Sequence, residues 1–100
     1  MKSARDPRHL RRQRVVQDLF AHTFHDQDTQ ETLALDVIKL FPEVDKRIAV
    51  SAPAWPIDKI NRIDLAILRF ATYEITHTET PAKVIIDEAI ELAKEFGGES

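Results

Sequence analysis

The sequence predicts a small all-α protein, and three observations support this fold class. The chain of 100 residues has the length of one domain, so residues 1–100 are expected to form a single unit. Its composition is 43% hydrophobic and 31% charged, with 2 Gly and 5 Pro, which is typical of a globular protein. Apolar residues recur at helical spacing, and only residues 82–86 are ambiguous with a strand. We therefore expect a compact helical bundle.

The first predicted helix begins at Asp6 and Pro7, an N-cap residue followed by the residue favoured at the first helical position. From there to about Phe24, apolar residues fall on one broad arc at about 100° per residue. These residues are Leu10, Val15, Val16, Leu19, Phe20 and Phe24. Arg11 and Arg14 lie on the opposite face, so the helix is expected to be amphipathic.

Basic residues are concentrated at the N-terminal end of this helix. The first fourteen residues contain six Lys or Arg and one Asp, a net charge of +5, whereas the remaining 86 have a net charge of −8. The six cations are Lys2, Arg5, Arg8, Arg11, Arg12 and Arg14. Such a segment can bind phosphate, and the planar guanidinium group suits phosphates and base edges. From charge alone, a solvated helix start without a ligand is the alternative.

Helix-breaking and helix-starting residues divide the rest of the chain into four further helices. They are expected at residues 31–41, 43–50, about 61 or 64 to 76, and about 81–96. The polar stretch 25–30 predicts a loop, and Pro42 is expected to end the first of these helices. Residues 53–56 contain two prolines and cannot form a regular helix, so Trp55 is expected to fill the core between helices.

The last two helices carry the clearest apolar stripes. In the helix that ends near Thr76, the expected buried residues are Ile60, Ile63, Ile67, Leu68, Ala71 and Ile75. In the final helix, which Gly97 and Gly98 are expected to close, the residues available for packing are Val84, Ile85, Ala89, Leu92, Ala93 and Phe96.

Few residues suggest catalysis or metal binding. Without Cys there is no disulfide, thiolate nucleophile or Cys-ligated metal, and no Gly-rich phosphate loop is present. His22 and His25 with Asp26 could ligate a metal, but a solvent-facing helix end is the favoured interpretation. A solvated face is expected for the acidic residues of the last helix, Asp87, Glu88 and Glu91. We therefore expect neither enzyme activity nor a cofactor.

The chain also lacks the apolar segments of membrane and secreted proteins. No apolar run approaches the roughly 18 residues of a membrane-spanning helix. The basic N-terminus is not followed by the apolar segment of a signal peptide. A cytoplasmic protein without membrane contact is expected.

Two stretches contain distinctive strings. Residues 8–20 read RHLRRQRVVQDLF, with an R-x3-R spacing followed by an apolar run. Residues 55–75 read WPIDKINRIDLAILRFATYEI, and residues 80–100 read TPAKVIIDEAIELAKEFGGES. In this order and spacing they resemble the NusB family of transcription antitermination factors. The resemblance implies a compact, all-α, NusB-like helical bundle.

The resemblance also implies a function and a set of site residues. Proteins of this family bind the boxA element of ribosomal RNA leaders together with NusE, a small-subunit ribosomal protein, in the RNA polymerase antitermination complex. Arg8 and Arg12 match the two spaced arginines of the motif, and Phe20 matches the aromatic residue that follows. The expected RNA-binding residues are Arg5, Arg8, His9, Arg11, Arg12, Arg14 and Phe20. Phe20 would stack on a base, although core packing is the commoner role at this spacing.

The sequence departs from the family pattern at several places. Gln13 stands where the motif usually has Glu. Only 34 residues separate Phe20 from Trp55, so the middle segment is shortened, and the usual K-F-V-N-G-V-L helix is lacking at the C-terminus. The uncovered apolar faces could support a homodimer. Within the matching strings, Arg69 and Glu74 are expected to form a buried or interfacial polar pair.

Two other functions fit the same residues. One is the NusB-like N-terminal domain of an rRNA cytosine methyltransferase, in which a catalytic domain with a Gly-rich loop would follow residue 100. The other is a helical protein-interaction module without RNA binding. Loss of RNA affinity on replacing Arg8 and Arg12 would distinguish RNA contact from the second of these.

Overall fold

The computed structural model describes residues 6–24 and 31–97, and these ranges consist of helices joined by short turns. The α-helices in them are α1 (Pro7–His22), α2 (Thr32–Lys39), α3 (Phe41–Ser51), α4 (Arg62–His77) and α5 (Ala82–Leu92). A 3-10 turn, Ile57–Lys59, precedes α4, and a π-helical turn, Ala93–Gly97, continues α5. The all-α prediction is confirmed, and residues 82–86 are helical. The loop predicted over residues 25–30 lies outside the described residues.

Side chains that accept backbone N–H groups fix the starts of three helices. These caps are Asp6 for α1, Glu31 for α2 and Asn61 for α4, at distances of 2.8, 3.1 and 2.9 Å. Pro7 occupies the first turn of α1, as predicted. Pro42 lies in the first turn of α3, which begins two residues earlier than the sequence predicts. Consequently only Leu40 separates α2 from α3.

The core lies around α4, which packs against α1, α3 and α5. Its main cluster contains Val15, Val16, Leu19, Ala34, Val37, Ala66, Ile67, Phe70 and Leu92. A smaller cluster joins α3 to α4 through Val44, Ile48 and Leu65. Each fully buried large apolar side chain contributes about 1.5–3 kcal/mol, so the main cluster fixes the position of α1 on α4 and the smaller one that of α3.

Two predictions about burial are wrong. Trp55 does not fill the core, because 69% of its surface is exposed in the turn between α3 and the 3-10 turn. On α4, Ile67 is buried, but Leu68 and Ile75 are 41% and 52% exposed, and the predicted stripe does not include the buried residues Leu65, Ala66 and Phe70. Because α4 is apolar on several sides and packs against α1, α2, α3, α5 and the π-helical turn, periodicity alone does not select one face.

The final helix follows its prediction more closely. Ile85 and Leu92 are buried, and the Ala89, Ala93 and Phe96 side chains pack against the main cluster. Val84 is 37% exposed and is the exception. In the described ranges, no helix has both the length and the apolar character needed to cross a membrane.

Candidate nucleic-acid interface

In the first turn of α1, the exposed side chain of Arg8 is hydrogen-bonded to the N-cap residue Asp6. Asp6 accepts the backbone N–H of Arg8 and also the Arg8 side chain, whose Nη2 lies 3.0 Å from Asp6 Oδ2. The Arg8 side chain is nevertheless 84% exposed. These hydrogen bonds, the side-chain bond above all, lower the pKa of Asp6 from 3.8 to about 2. Asp6 is therefore ionised at neutral pH and holds one guanidinium at the N-terminal end of α1.

His9 is buried between two carboxylates. Its side chain is 3% exposed, its Nδ1 lies 2.9 Å from Glu88 Oε1 on α5, and its Nε2 lies 2.9 Å from Glu95 Oε2 on the π-helical turn. Hydrogen bonding to Glu88 raises the pKa of His9, Glu95 adds to the increase, and burial opposes it. Only the imidazolium form can donate to both carboxylates. His9 thus ties the first turn of α1 to the C-terminal part of the bundle.

Arg12 links α1 to α4. Its Nε and Nη2 donate to the two carboxylate oxygens of Glu74 at 3.0 and 2.9 Å, a bidentate pair. Arg12 Nη1 also lies 3.7 Å from Glu88 Oε1. The Arg12 and Glu74 side chains are 13% and 9% exposed. The hydrogen bonds to Glu74 are the main reason that the pKa of Arg12 is raised.

We call these five side chains the ion network: His9, Arg12, Glu74, Glu88 and Glu95. They come from α1, α4, α5 and the π-helical turn, and Gln13 also donates to Glu95 at 3.0 Å. The prediction of a solvated acidic face is therefore wrong for Glu88, which is 1% exposed. Buried charges of this kind are tolerated only when paired and hydrogen-bonded. The network consequently fixes the N-terminal half of α1 in one orientation.

Arg11 and Arg14 remain on the outer face of α1. Arg11 Nη2 lies 3.0 Å from Glu31 Oε1, yet the Arg11 side chain is 49% exposed, and Arg14 is also exposed. Burial acts to raise the pKa of Glu31, but the Leu33 backbone N–H and Arg11 lower it overall. With Arg8, these side chains place three guanidinium groups at the solvent-facing surface of one helix.

The other predicted site residues are placed differently. Arg5 lies outside the described residues. Phe20 is half-buried against the main cluster, and its ring meets that of Phe24 edge to face, with centroids 4.9 Å apart. The guanidinium of Arg62, at the start of α4, lies 4.6 Å from the Phe24 ring centroid. A cation and aromatic rings are therefore brought together at the C-terminal half of α1.

In the described ranges, α1 borders a cleft on each of two sides. The first cleft, of about 370 Å³, lies between the start of α1 and the start of α5, and is lined by Asp6, Arg8, His9, Arg12, Thr80, Pro81 and Val84. The second cleft, of about 590 Å³, lies between α1 and the start of α4, and is lined by Gln17, Phe20, Asn61, Arg62, Ile63, Phe96 and Gly97. The arginine-bearing helix thus has a cleft bordered by charged side chains at its N-terminal end and one bordered by aromatic rings further along.

The predicted pair of Arg69 with Glu74 does not form. Glu74 pairs with Arg12, while Arg69 donates two hydrogen bonds of 2.8 Å to Asp45 on α3. The Arg69 guanidinium also lies 4.1 Å from the ring centroid of Phe41. The matching strings drew attention to Arg69 and Glu74, but their partners Asp45 and Arg12 lie 24 and 62 residues away, too far apart in sequence for spacing to pair them.

Metal binding finds no support in the described ranges. They contain no group of three or more His, Cys, Asp or Glu side chains placed to hold a metal ion. The ring of His22 meets Phe41 edge to face at 5.9 Å, whereas His25 and Asp26 lie outside the described residues.

Comparison with known proteins gives one consistent family. A model of the NusB family matches residues 5–100. The transcription antitermination protein NusB of Treponema denticola is 34% identical over 93 residues, covering 83% of this chain and 68% of that protein. That of Dehalococcoides mccartyi is 45% identical over 90 residues, covering 86% and 63%. That of Staphylococcus aureus is 47% identical over 55 residues, covering 55% and 43%. No solved structure matches the chain.

Proposed function

The chain belongs to the NusB family, and we propose that it is an RNA-binding transcription antitermination factor that binds single-stranded RNA through the exposed arginines of α1. The observation that carries this proposal is the position of Arg8, Arg11 and Arg14. All three are exposed on one short helical surface. The relatives reported above are named transcription antitermination proteins, which supports binding and assembly as the activity.

The chemistry of this surface favours a nucleic-acid backbone. Guanidinium groups bind phosphates bidentately, and each phosphate contact releases condensed counterions. In the free protein, Arg8 and Arg11 are held by Asp6 and Glu31 while remaining largely or half exposed. A phosphate can therefore approach both guanidinium groups from the solvent side.

His9 and Arg12 support the site in another way. Their polar atoms face Glu74, Glu88 and Glu95, so we assign them as positioning residues that orient α1. The sequence instead predicts that His9 and Arg12 contact RNA directly, together with the other predicted site residues. Phe20 borders the second cleft, where a base could stack on its ring at a gain of about 1–3 kcal/mol.

The specific ligands in this proposal are those that the resemblance to the family implies. We propose that the RNA is a boxA-type element of a ribosomal RNA leader, that NusE binds with it, and that the assembly acts on RNA polymerase in the cytoplasm. The chain spans between about two fifths and two thirds of the three relatives, so these ligands are part of the proposal.

Fluorescence anisotropy with a boxA-like strand and a scrambled strand tests this function, with and without NusE and at several salt concentrations. We expect preference for the boxA-like strand, strengthened by NusE. In the triple variant Arg8→Ala, Arg11→Ala, Arg14→Ala, affinity should fall and the salt dependence should become shallower by about 0.7 per lost phosphate contact. Replacing Lys39, Lys46 and Lys94 by Ala removes the same charge from other exposed positions and is the matched control. Equal losses in both triple variants would contradict the proposal.

A further inference from the structure

The second cleft adjoins another depression at the start of α4. Asn61, which caps α4, lines this cleft and also lines a groove of about 620 Å³ between α3 and α4. Arg62 borders the second cleft next to it, and Lys59 borders the groove. The two depressions therefore adjoin at Asn61, at the start of α4, and an RNA strand running past Phe20 toward this point would meet the groove next.

The groove combines the features of a binding site for single-stranded nucleic acid. Trp55 stands at its edge with 69% of its surface exposed, and Leu68 and Ile75 form an apolar floor. Arg47 and Lys59 lie in the lining, and neither forms a salt bridge within the described ranges. Exposed aromatic rings beside cations are the combination that binds successive bases and phosphates of a single strand.

We propose that bound RNA continues from the second cleft into this groove, with a base stacked on Trp55 and phosphates contacted by Lys59 and Arg47. This inference rests on the proposed function and extends its binding site by a second segment. Asp64, a carboxylate in the same lining, would repel a phosphate. The backbone is therefore expected on the Lys59 and Arg47 side, with the bases over the apolar floor. The cations Arg47 and Lys59 beside the exposed Trp55 ring, at a groove that adjoins the second cleft, favour RNA over a peptide as the occupant.

Trp55 makes a direct test possible because it is the single Trp of the chain. Two strands are compared, one of about 6 and one of about 16 nucleotides, which bracket common single-strand site sizes. Anisotropy of labelled RNA reports binding at α1, and intrinsic fluorescence reports contact at Trp55. We expect the longer strand to quench Trp55 and the shorter strand to bind without quenching.

Variants complete the test. Trp55→Ala should weaken binding of the longer strand by about 5- to 150-fold and leave the shorter strand unaffected. The double variant Arg47→Ala, Lys59→Ala should also weaken the longer strand selectively, whereas Lys46→Ala, a neighbouring exposed cation outside the lining, should not. Far-UV circular dichroism checks that each variant is folded.

The two proposals fail differently. The extension into the groove is wrong if the longer strand binds Trp55→Ala with wild-type affinity and leaves the Trp55 fluorescence of the wild-type protein unchanged. A protein partner would then be the better candidate for the groove. The proposed function is then tested by the α1 variants alone. Absence of binding by either strand would overturn both proposals.

Discussion

The proton on His9 is part of the folded structure. Both ring nitrogens face carboxylates, and Glu88 raises the pKa of His9 above its ordinary value of 6.5. A histidine with a raised folded pKa contributes stability that is complete below the unfolded pKa. This contribution is lost as the pH rises through the folded pKa. Neutral imidazole would leave one carboxylate facing a ring lone pair instead of a donor.

We therefore predict that His9 makes the protein less stable at alkaline pH. The free energy of unfolding should fall as the pH rises above the ordinary histidine pKa of 6.5 and through the raised pKa of His9, and His9→Gln should remove part of this slope because Gln does not titrate. Urea denaturation of both proteins at several pH values measures the difference. Parallel pH profiles for the wild type and His9→Gln would show that the His9 proton does not contribute.

The bidentate pair of Arg12 with Glu74 joins helix α1 to helix α4. Removing one partner leaves the other charge buried, so Arg12→Ala and Glu74→Ala should each cost about 3 kcal/mol. The double variant Arg12→Met, Glu74→Leu should recover most of this loss, because an apolar pair needs no partner. Lys83→Ala, which breaks an exposed pair with Asp87, should cost at most about 0.5 kcal/mol. Chemical denaturation measures all four variants, and equal effects of Arg12→Ala and Lys83→Ala would refute this account.

The start of α4 depends on its cap. The Asn61 side chain accepts the Ile63 N–H at 2.9 Å, and losing this bond in Asn61→Ala should cost about 0.5–2 kcal/mol. Asn61→Asp keeps an acceptor at the N-terminus of the helix and should retain most of the stability. Thermal unfolding of the two variants provides the comparison. The cap has no such role if Asn61→Asp is destabilised as much as Asn61→Ala.

Helix positions could be predicted from the sequence far better than helix partners. Asp6 with Pro7 marked the start of α1, because caps and prolines act within a few residues of their own position. The burial of Trp55 and the outward face of α4 were predicted wrongly, since they depend on which neighbouring helices cover them. The partners of His9 lie 79 and 86 residues away, and no local pattern pairs them. The positively charged segment was evident from the sequence, but its division into surface and buried arginines was not.

Across the whole molecule, two aromatic residues show how the core is distributed. Phe70 is 2% exposed in the main cluster, whereas Trp55 is 69% exposed in a surface turn. Phe70→Ala should cost about 3–5 kcal/mol, a large part of the roughly 5–15 kcal/mol that stabilises a small domain. Trp55→Ala should change the free energy of unfolding by no more than about 0.5 kcal/mol. Denaturation midpoints give both values, and comparable losses would mean that Trp55 is packed.

The ion network also bears on the order in which the molecule is assembled. During synthesis α1 is made before the other described helices, but its partners Glu88 and Glu95 are added only when nearly the whole described chain has been made. Closing a loop of about 80 residues costs entropy that short-range helical contacts do not. The arginine-bearing end of α1 is thus among the first parts of the described chain to leave the ribosome and among the last to be fixed.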